Sequence, residues 1–193
     1  MEEQLRQMGK EFVPGMRILD FGCGCGRVAA YVMKSAPQSE FCGVDVDAEA
    51  VQWCSDHLKG GDFRRTLPNP PLPYPSGYFD VIYCVSVFTH LDEKMQDAWL
   101  EELKRVLSPG GILIFTVHGR VAAELLASDE REKLGHEGFI YHRSNKLRGI
   151  VPDSYHTAWH EERYVVKHAL QWFSEVQYCV IPDSSQDIVR CRV

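Results

Sequence analysis

Residues 18–28, Ile-Leu-Asp-Phe-Gly-Cys-Gly-Cys-Gly-Arg-Val, constrain this chain more than any other stretch. Ile18, Leu19 and Phe21 read as the end of a buried strand, Gly22, Gly24 and Gly26 follow at every second position, and Val28 to Met33 resume as a helix. A strand that feeds a helix through glycines brings backbone close to a ligand at the head of that helix. Glycine suits such a turn because it accepts positive φ and puts no Cβ in the way. The stretch predicts the floor of a nucleoside-cofactor site.

The rest of the chain is laid out to match. Leu5, Met8 and Phe12 predict a short amphipathic helix before the opening strand at Met16–Phe21. Phe41–Asp45 predicts a second strand. Asp47 then caps a helix whose buried stripe is Val51, Cys54 and Leu58. Phe63–Leu67 is a short third strand, and Asp80–Val85 a strongly apolar fourth. Met95, Trp99, Leu103 and Val106 form a helical stripe behind Asp92 as N-cap, and Ile112–Val117 is a fifth strand. Strands that alternate with helices at this spacing imply a parallel sheet covered on both faces. Pro68–Pro75 can be neither helix nor central strand. It reads as a stiff connector, with a polyproline ligand as the alternative. Beyond His118 the regularity fades, and residues 119–160 predict an irregular cap or substrate segment. Glu161–Leu170 predicts a helix, and Phe173–Val180 with Asp187–Val193 an antiparallel hairpin. Residues 1–193 therefore read as one domain.

Charge and composition exclude several classes. The net charge of −6 argues against nucleic acid as the partner, because phosphate binding wants a basic face. No apolar run approaches the ~20 residues of a membrane span, and the polar N-terminus does not read as a signal peptide. The seven cysteines are scattered and odd in number, which suits reduced thiols of a cytoplasmic protein. Cys23 and Cys25 stand at a metal-binding spacing, but no second pair follows at zinc-finger distance, so packing in a tight turn is the simpler reading and no metal is predicted.

Two acidic residues define the ligand. Asp45 ends the second strand nineteen residues after Gly26, where a carboxylate can accept both hydroxyls of a ribose. Asp20 places a second carboxylate beside the glycine loop. A pyrophosphate wants G-x-G-x-x-G spacing, and here the third glycine comes one residue early. A carboxylate also suits a cationic group better than phosphate. Both points lead away from a nicotinamide dinucleotide and toward S-adenosylmethionine.

The chain resembles the class I S-adenosylmethionine-dependent methyltransferases, of the bacterial small-molecule type. The resemblance rests on Leu19–Gly26, on Gly43-Val44-Asp45, on Pro71–Tyr74 running into Phe79–Ile82, and on Arg105-Val106-Leu107-Ser108-Pro109-Gly110-Gly111. It implies a doubly wound, Rossmann-like α/β sheet, mostly parallel with one antiparallel strand, in the order 3-2-1-4-5-7-6. It implies an enzyme that transfers a methyl group from S-adenosylmethionine to oxygen or nitrogen of a small molecule. The alternative is a binding module or subunit that holds the cofactor without catalysis. By position, Asp20, Gly22, Cys23 and Gly24 face the methionine moiety, with Gly26 completing the loop. Asp45 takes the ribose and Val46 the adenine. Thr66-Leu67 stands where many relatives carry an adenine-binding Asp or Asn, so backbone and apolar contact hold the base instead. Val85 and Ser86 lie under the methyl end. Ser86–Leu91 and Gln186–Val189 resemble enzymes associated with saccharide assembly. The resemblance also implies a longer N-terminal cap than these residues provide.

A general base is needed only for a poorly acidic O–H or N–H acceptor. His90 and His118 follow the fourth and fifth strands, at the edge where open sheets bind ligands, and are candidate bases. Tyr155, His156 and His160 lie in the capping segment. His160 is a third candidate, with capping of the next helix as its simpler role. His142, Arg143, Lys146 and Arg148 form a basic run that either faces solvent or meets an acidic acceptor.

Overall fold

The computed structural model describes residues 1–143 and 156–193. Five strands open the fold: β1 (Arg17–Phe21), β2 (Glu40–Asp45), β3 (Gly61–Arg65), β4 (Phe79–Cys84) and β5 (Leu107–His118). They are separated by α2 (Arg27–Ser35), α3 (Ala48–His57) and α4 (Glu93–Val106), with α1 (Glu2–Arg6) in front. Then come α5 (Arg120–Ala123), α6 (Ser128–Glu137), β6 (Phe139–His142), β7 (Thr157–His160), α7 (Glu162–Ala169), β8 (Glu175–Cys179) and β9 (Gln186–Arg192). Asp47 caps α3 by accepting from the Glu49 and Ala50 N–H groups, and Asp92 caps α4 by accepting from Met95 N–H.

The large sheet runs β3-β2-β1-β4-β5-β9-β8. Counted within that sheet alone, this is 3-2-1-4-5-7-6. β9 is antiparallel to both neighbours, and the other pairings are parallel. The central strands are buried on both faces, which is why they read as unbroken apolar runs. One core packs Trp99, Leu103 and Val106 of α4 and Val165 and Ala169 of α7 against the sheet. The other packs Leu5 of α1, Ala29 and Val32 of α2, and Val51 and Cys54 of α3 on the opposite face.

Residues 119–160 are more regular than the sequence implies. Two short helices are followed by the antiparallel pair β6–β7, which forms a sheet of its own with Phe139 opposite His160. The charged run 129–133 is helical although its helix buries only Leu134. Leu125 is apolar yet 86% exposed, because it lies in the break between α5 and α6. Residues 144–155, which include Tyr155, Lys146 and Arg148, lie outside the described residues.

Candidate functional site

The strand order reverses between β1 and β4, and an open sheet offers its ligand crevice at the carboxyl ends of strands at such a point. A cavity of about 550 Å3 lies there. Its floor is the glycine loop after β1. Gly22 and Cys23 N–H both donate to Val44 O (2.8 and 3.0 Å), which ties the loop to β2. Gly22 has φ +81°, and a Cβ there would overlap the Val87 side chain. The absence of a side chain is what lets the loop and the 86–91 segment approach across the cavity.

Asp45 lines the cavity and holds the loop. Its Oδ2 accepts from Gly24 N–H (2.7 Å) and its Oδ1 from Asp47 N–H (2.9 Å). A carboxylate has about four acceptor positions, so two remain for a pair of ligand hydroxyls. Val46, Thr66, Leu67, Pro68 and Asn69 continue the wall. Leu67 is 70% exposed, apolar surface at the rim where a flat base can lie.

The opposing wall starts at Ser86. It has φ +62°, one of two non-glycine residues in that region among the described residues. Such backbone persists only where surroundings over-determine it, and it clusters at functional sites. Here Ser86 N–H donates to Thr116 Oγ1 (2.8 Å), Thr116 Oγ1 donates to Gln186 Oε1 (2.6 Å), and Gln186 Nε2 donates to Ser86 Oγ (2.8 Å). Thr116 and Gln186 belong to β5 and β9, so the antiparallel strand helps to hold the cavity wall. Thr116 does not stand out in the sequence, and Gln186 does so only as the start of the 186–189 motif, because tertiary pairing alone brings both to Ser86.

At the far end stand His90, Leu91, Asp92, Tyr141, Arg143 and His156. His90 Nδ1 lies 2.6 Å from His156 O, and His118 Nδ1 lies 3.1 Å from Ala158 O. A carbonyl only accepts, so both rings carry their proton on Nδ1 and their lone pair on Nε2. Burial holds both imidazoles below the ordinary histidine pKa, so both are neutral at pH 7. His118 stands one ring behind His90, edge-on at 6.4 Å between centroids, and does not line the cavity. His160 is 2% exposed and bonded to Gln96, and burial pushes its pKa down to about 3. It caps no helix: Glu161 holds the N-cap position of α7, and no side chain bonds there. Of the basic run, Arg143 faces the cavity and has no ion-pair partner among the described residues, while His142 pairs with Glu130 (3.0 Å).

Six residues expected at the cofactor line the cavity or its rim: Gly22, Gly24, Asp45, Val46, Leu67 and Ser86. Four do not. Asp20 is 2% exposed and accepts from Tyr83 O–H (2.9 Å). Burial raises its pKa to about 7. Cys23 is buried beneath the loop, and Gly26 packs against Leu58 and Cys54. Val85 packs into the second core. Among the described residues no group of three or more His, Cys, Asp or Glu is placed to hold a metal ion. An adenosyl sulfonium suits this cradle on two observations: the Gly22 approach that a Cβ would block, and the two acceptor positions left on Asp45.

The family described as "Methyltransferase domain" matches residues 19–115, which carry the glycine loop, Asp45 and the His90 segment. This chain belongs to that methyltransferase domain family. Its fold is that of the S-adenosylmethionine dependent methyltransferase from Mesorhizobium loti, with a TM-score of 0.73 over 99% of this chain and 96% of that one at 16% identity. A second such enzyme, from Aquifex aeolicus, gives 0.63 over 99% and 87% at 20% identity. Among curated proteins, the fatty-acid O-methyltransferase of Mycolicibacterium smegmatis is 31% identical over 106 residues, 54% of this chain and 38% of that protein. The ubiquinone/menaquinone biosynthesis C-methyltransferase of Bordetella avium is 32% identical over 116 residues, 58% and 44%. The chain thus spans about two fifths of the length of these curated relatives.

Proposed function

We propose that this chain transfers a methyl group from S-adenosylmethionine to an acidic O–H of a small, largely apolar acceptor. One observation carries the reading: Asp45 and the glycine loop face the strained Ser86 across a single cavity whose far end holds a neutral imidazole. Asp45 takes the ribose hydroxyls, and Thr66 and Leu67 border the adenine. Gly22, Gly24 and Ser86 border the methionine end. When bound, the cofactor supplies a methyl on a positively charged sulfur, already activated for displacement. The chain then has to hold the acceptor in line and exclude water, which alone is worth effective molarities on the order of 10⁵ M or more.

For an acceptor that keeps its proton at neutral pH, such as a quinol or a phenol, His90 is the candidate base; a carboxylic acid is already ionised and needs none. The His90 Nδ1–H is held by the His156 carbonyl, so Nε2 is the atom that takes the acceptor's proton. Leu91, Met95 and Trp99 make the wall apolar, and Tyr141 and Arg143 stand at its edge. Arg143, which has no ion-pair partner among the described residues, favours an acidic or anionic acceptor over an ammonium. A lipid acid or a quinol has this chemistry, and one curated relative is a fatty-acid O-methyltransferase; the other is a C-methyltransferase and does not bear on an O–H acceptor. The saccharide link rests on the 86–91 and 186–189 motifs, and the apolar wall favours an acyl or aromatic acceptor over a free sugar. The net charge of −6 supports a small molecule rather than nucleic acid. All seven cysteines are free, which supports a reducing compartment such as the cytoplasm. Among the described residues no helix is long and apolar enough to cross a membrane.

The test is transfer of label from methyl-labelled S-adenosylmethionine to fatty acids, quinols and phenolic acids, with alkylamines as the contrast. Label in the acids or quinols is expected. In His90→Gln, kcat with quinols and phenols should fall by about 10²–10⁴-fold, with cofactor affinity within a few-fold. Cofactor binding with no transfer to any acceptor would assign the chain to the binding-module alternative.

A further inference from the structure

The loop that carries His90 is held from beneath by a side chain that the apolar stripe of α4 conceals. Gln96 lies between Met95 and Trp99 and is 7% exposed. Its Nε2 donates to Phe88 O (3.1 Å) and to Leu91 O (2.9 Å), the carbonyls on either side of Thr89-His90. His160 Nε2 lies on its other side, 3.2 Å from Oε1 and 2.9 Å from Nε2. With both amide protons committed to carbonyls, Oε1 is the acceptor that remains, so His160 Nε2–H donates to it, while the buried His160 Nδ1 has no hydrogen-bond partner among the described residues.

The same loop is tied from above. Ala158 N–H donates to Thr89 O (2.8 Å), and His90 N–H donates to Val87 O (2.9 Å). The carbonyls of Phe88, Thr89 and Leu91 are therefore all taken, two of them by one glutamine. A buried carbonyl that loses its donor has no water to turn to, so the loop must move if Gln96 is lost. A fourteen-residue helix thus sets the height of His90, while the His156 carbonyl, one residue before β7, sets its tautomer.

We infer that Gln96, seated by His160, is a positioning residue: it fixes the 88–91 loop so that the His90 ring meets the His156 carbonyl and presents Nε2 to the cavity. Catalytic use of that nitrogen rests on the proposed function; the brace does not. This assigns His160 a role in holding Gln96 and not in contact with the acceptor. Groups that share the His90 surroundings are His118 of β5, His156, Tyr141 of β6, Arg143 and Asp92.

The experiment is nitrogen NMR of the histidine rings in the full chain, with and without Gln96→Met, which keeps length and removes both donors. In the parent chain His90 should show one tautomer, protonated at Nδ1. In Gln96→Met that pattern should average toward both tautomers. The labelled-methyl assay should lose about 10²-fold in kcat, the scale of a 1 Å misplacement, with the cofactor Kd within about threefold. Gln96→Asn, which keeps the amide but draws it back by one methylene, should do the same and serves if Gln96→Met does not fold. A folded Gln96 variant with His90 still in the single Nδ1–H tautomer overturns the inference. So does a variant that lowers only the melting temperature, or failure of both variants to fold, since either makes Gln96 a stability residue. Absence of cofactor binding in the parent chain would defeat the proposed function, and the tautomer readout would still decide the brace.

Discussion

Two carboxylates flank the glycine loop, and burial gives them opposite properties. Asp45 accepts two backbone N–H bonds at the cavity edge and stays available to hydroxyls. On the proposed ribose role, replacing it by alanine removes hydrogen bonds to a charged acceptor, worth about 1.5–3 kcal/mol, so cofactor Kd should rise by about 10–100-fold in a calorimetric titration. Asp20 sits behind the loop with a pKa raised to about 7, chiefly by burial and then by Asp45, against the lowering effect of the Tyr83 hydrogen bond. Its unfolded value is about 4. A carboxyl raised on folding stabilises the folded chain below its unfolded pKa, and that contribution is lost as pH rises to about 7. The stability of the parent chain relative to Asp20→Asn should therefore fall between about pH 4 and pH 7 in urea titrations. A flat difference across that window contradicts the assignment. Gly22→Ala should cost about 1–2 kcal/mol from the left-handed backbone alone, before its overlap with Val87. Its loss of ligand binding should exceed its loss of melting temperature.

At the scale of elements, α4 does more than cover the sheet. Glu102 is 6% exposed and accepts from Leu72 N–H (2.7 Å) and from both ends of the Arg105 guanidinium (2.7 and 2.6 Å). Arg105 also donates to Tyr74 O (3.0 Å), and Trp99 Nε1–H donates to Pro68 O (3.3 Å). The proline-rich connector is thus clamped along its length, and Pro68 and Asn69 at its head line the cavity. Arg105 keeps 35% of its side chain exposed, so Glu102→Ala should cost about 2–3 kcal/mol, the low end for breaking a buried pair, seen as a lower urea midpoint at unchanged slope. The Asp47 and Asp92 caps were legible because a cap is a local signal. The break at Leu125, the helix 128–137 and the β6–β7 pair were not. Leu125 is apolar yet exposed, the helix buries a single leucine, and the two strands find each other only through tertiary contact.

Across the whole molecule, the parallel strands were readable because strands buried on both faces must be apolar throughout, whereas their order 3-2-1-4-5-7-6 came from the family resemblance alone. The cavity wall made by Gly22, Gly24 and Asp45 was readable because these residues sit at fixed offsets from those strands. The opposing wall was not. Gln96, Thr116 and Tyr141 come from three distant elements, and nothing local distinguishes them from surface polar residues; Gln186 stands in a motif, but its place beside Ser86 is set only by tertiary pairing. The fold thus joins a seat written in sequence spacing to an opposing wall assembled only by packing. Titration of the full chain with S-adenosylhomocysteine in a calorimeter tests that seat most directly. Saturable binding at one site per chain, weakened about tenfold or more in Asp45→Ala, is the predicted result; no saturable uptake by the parent chain would contradict it.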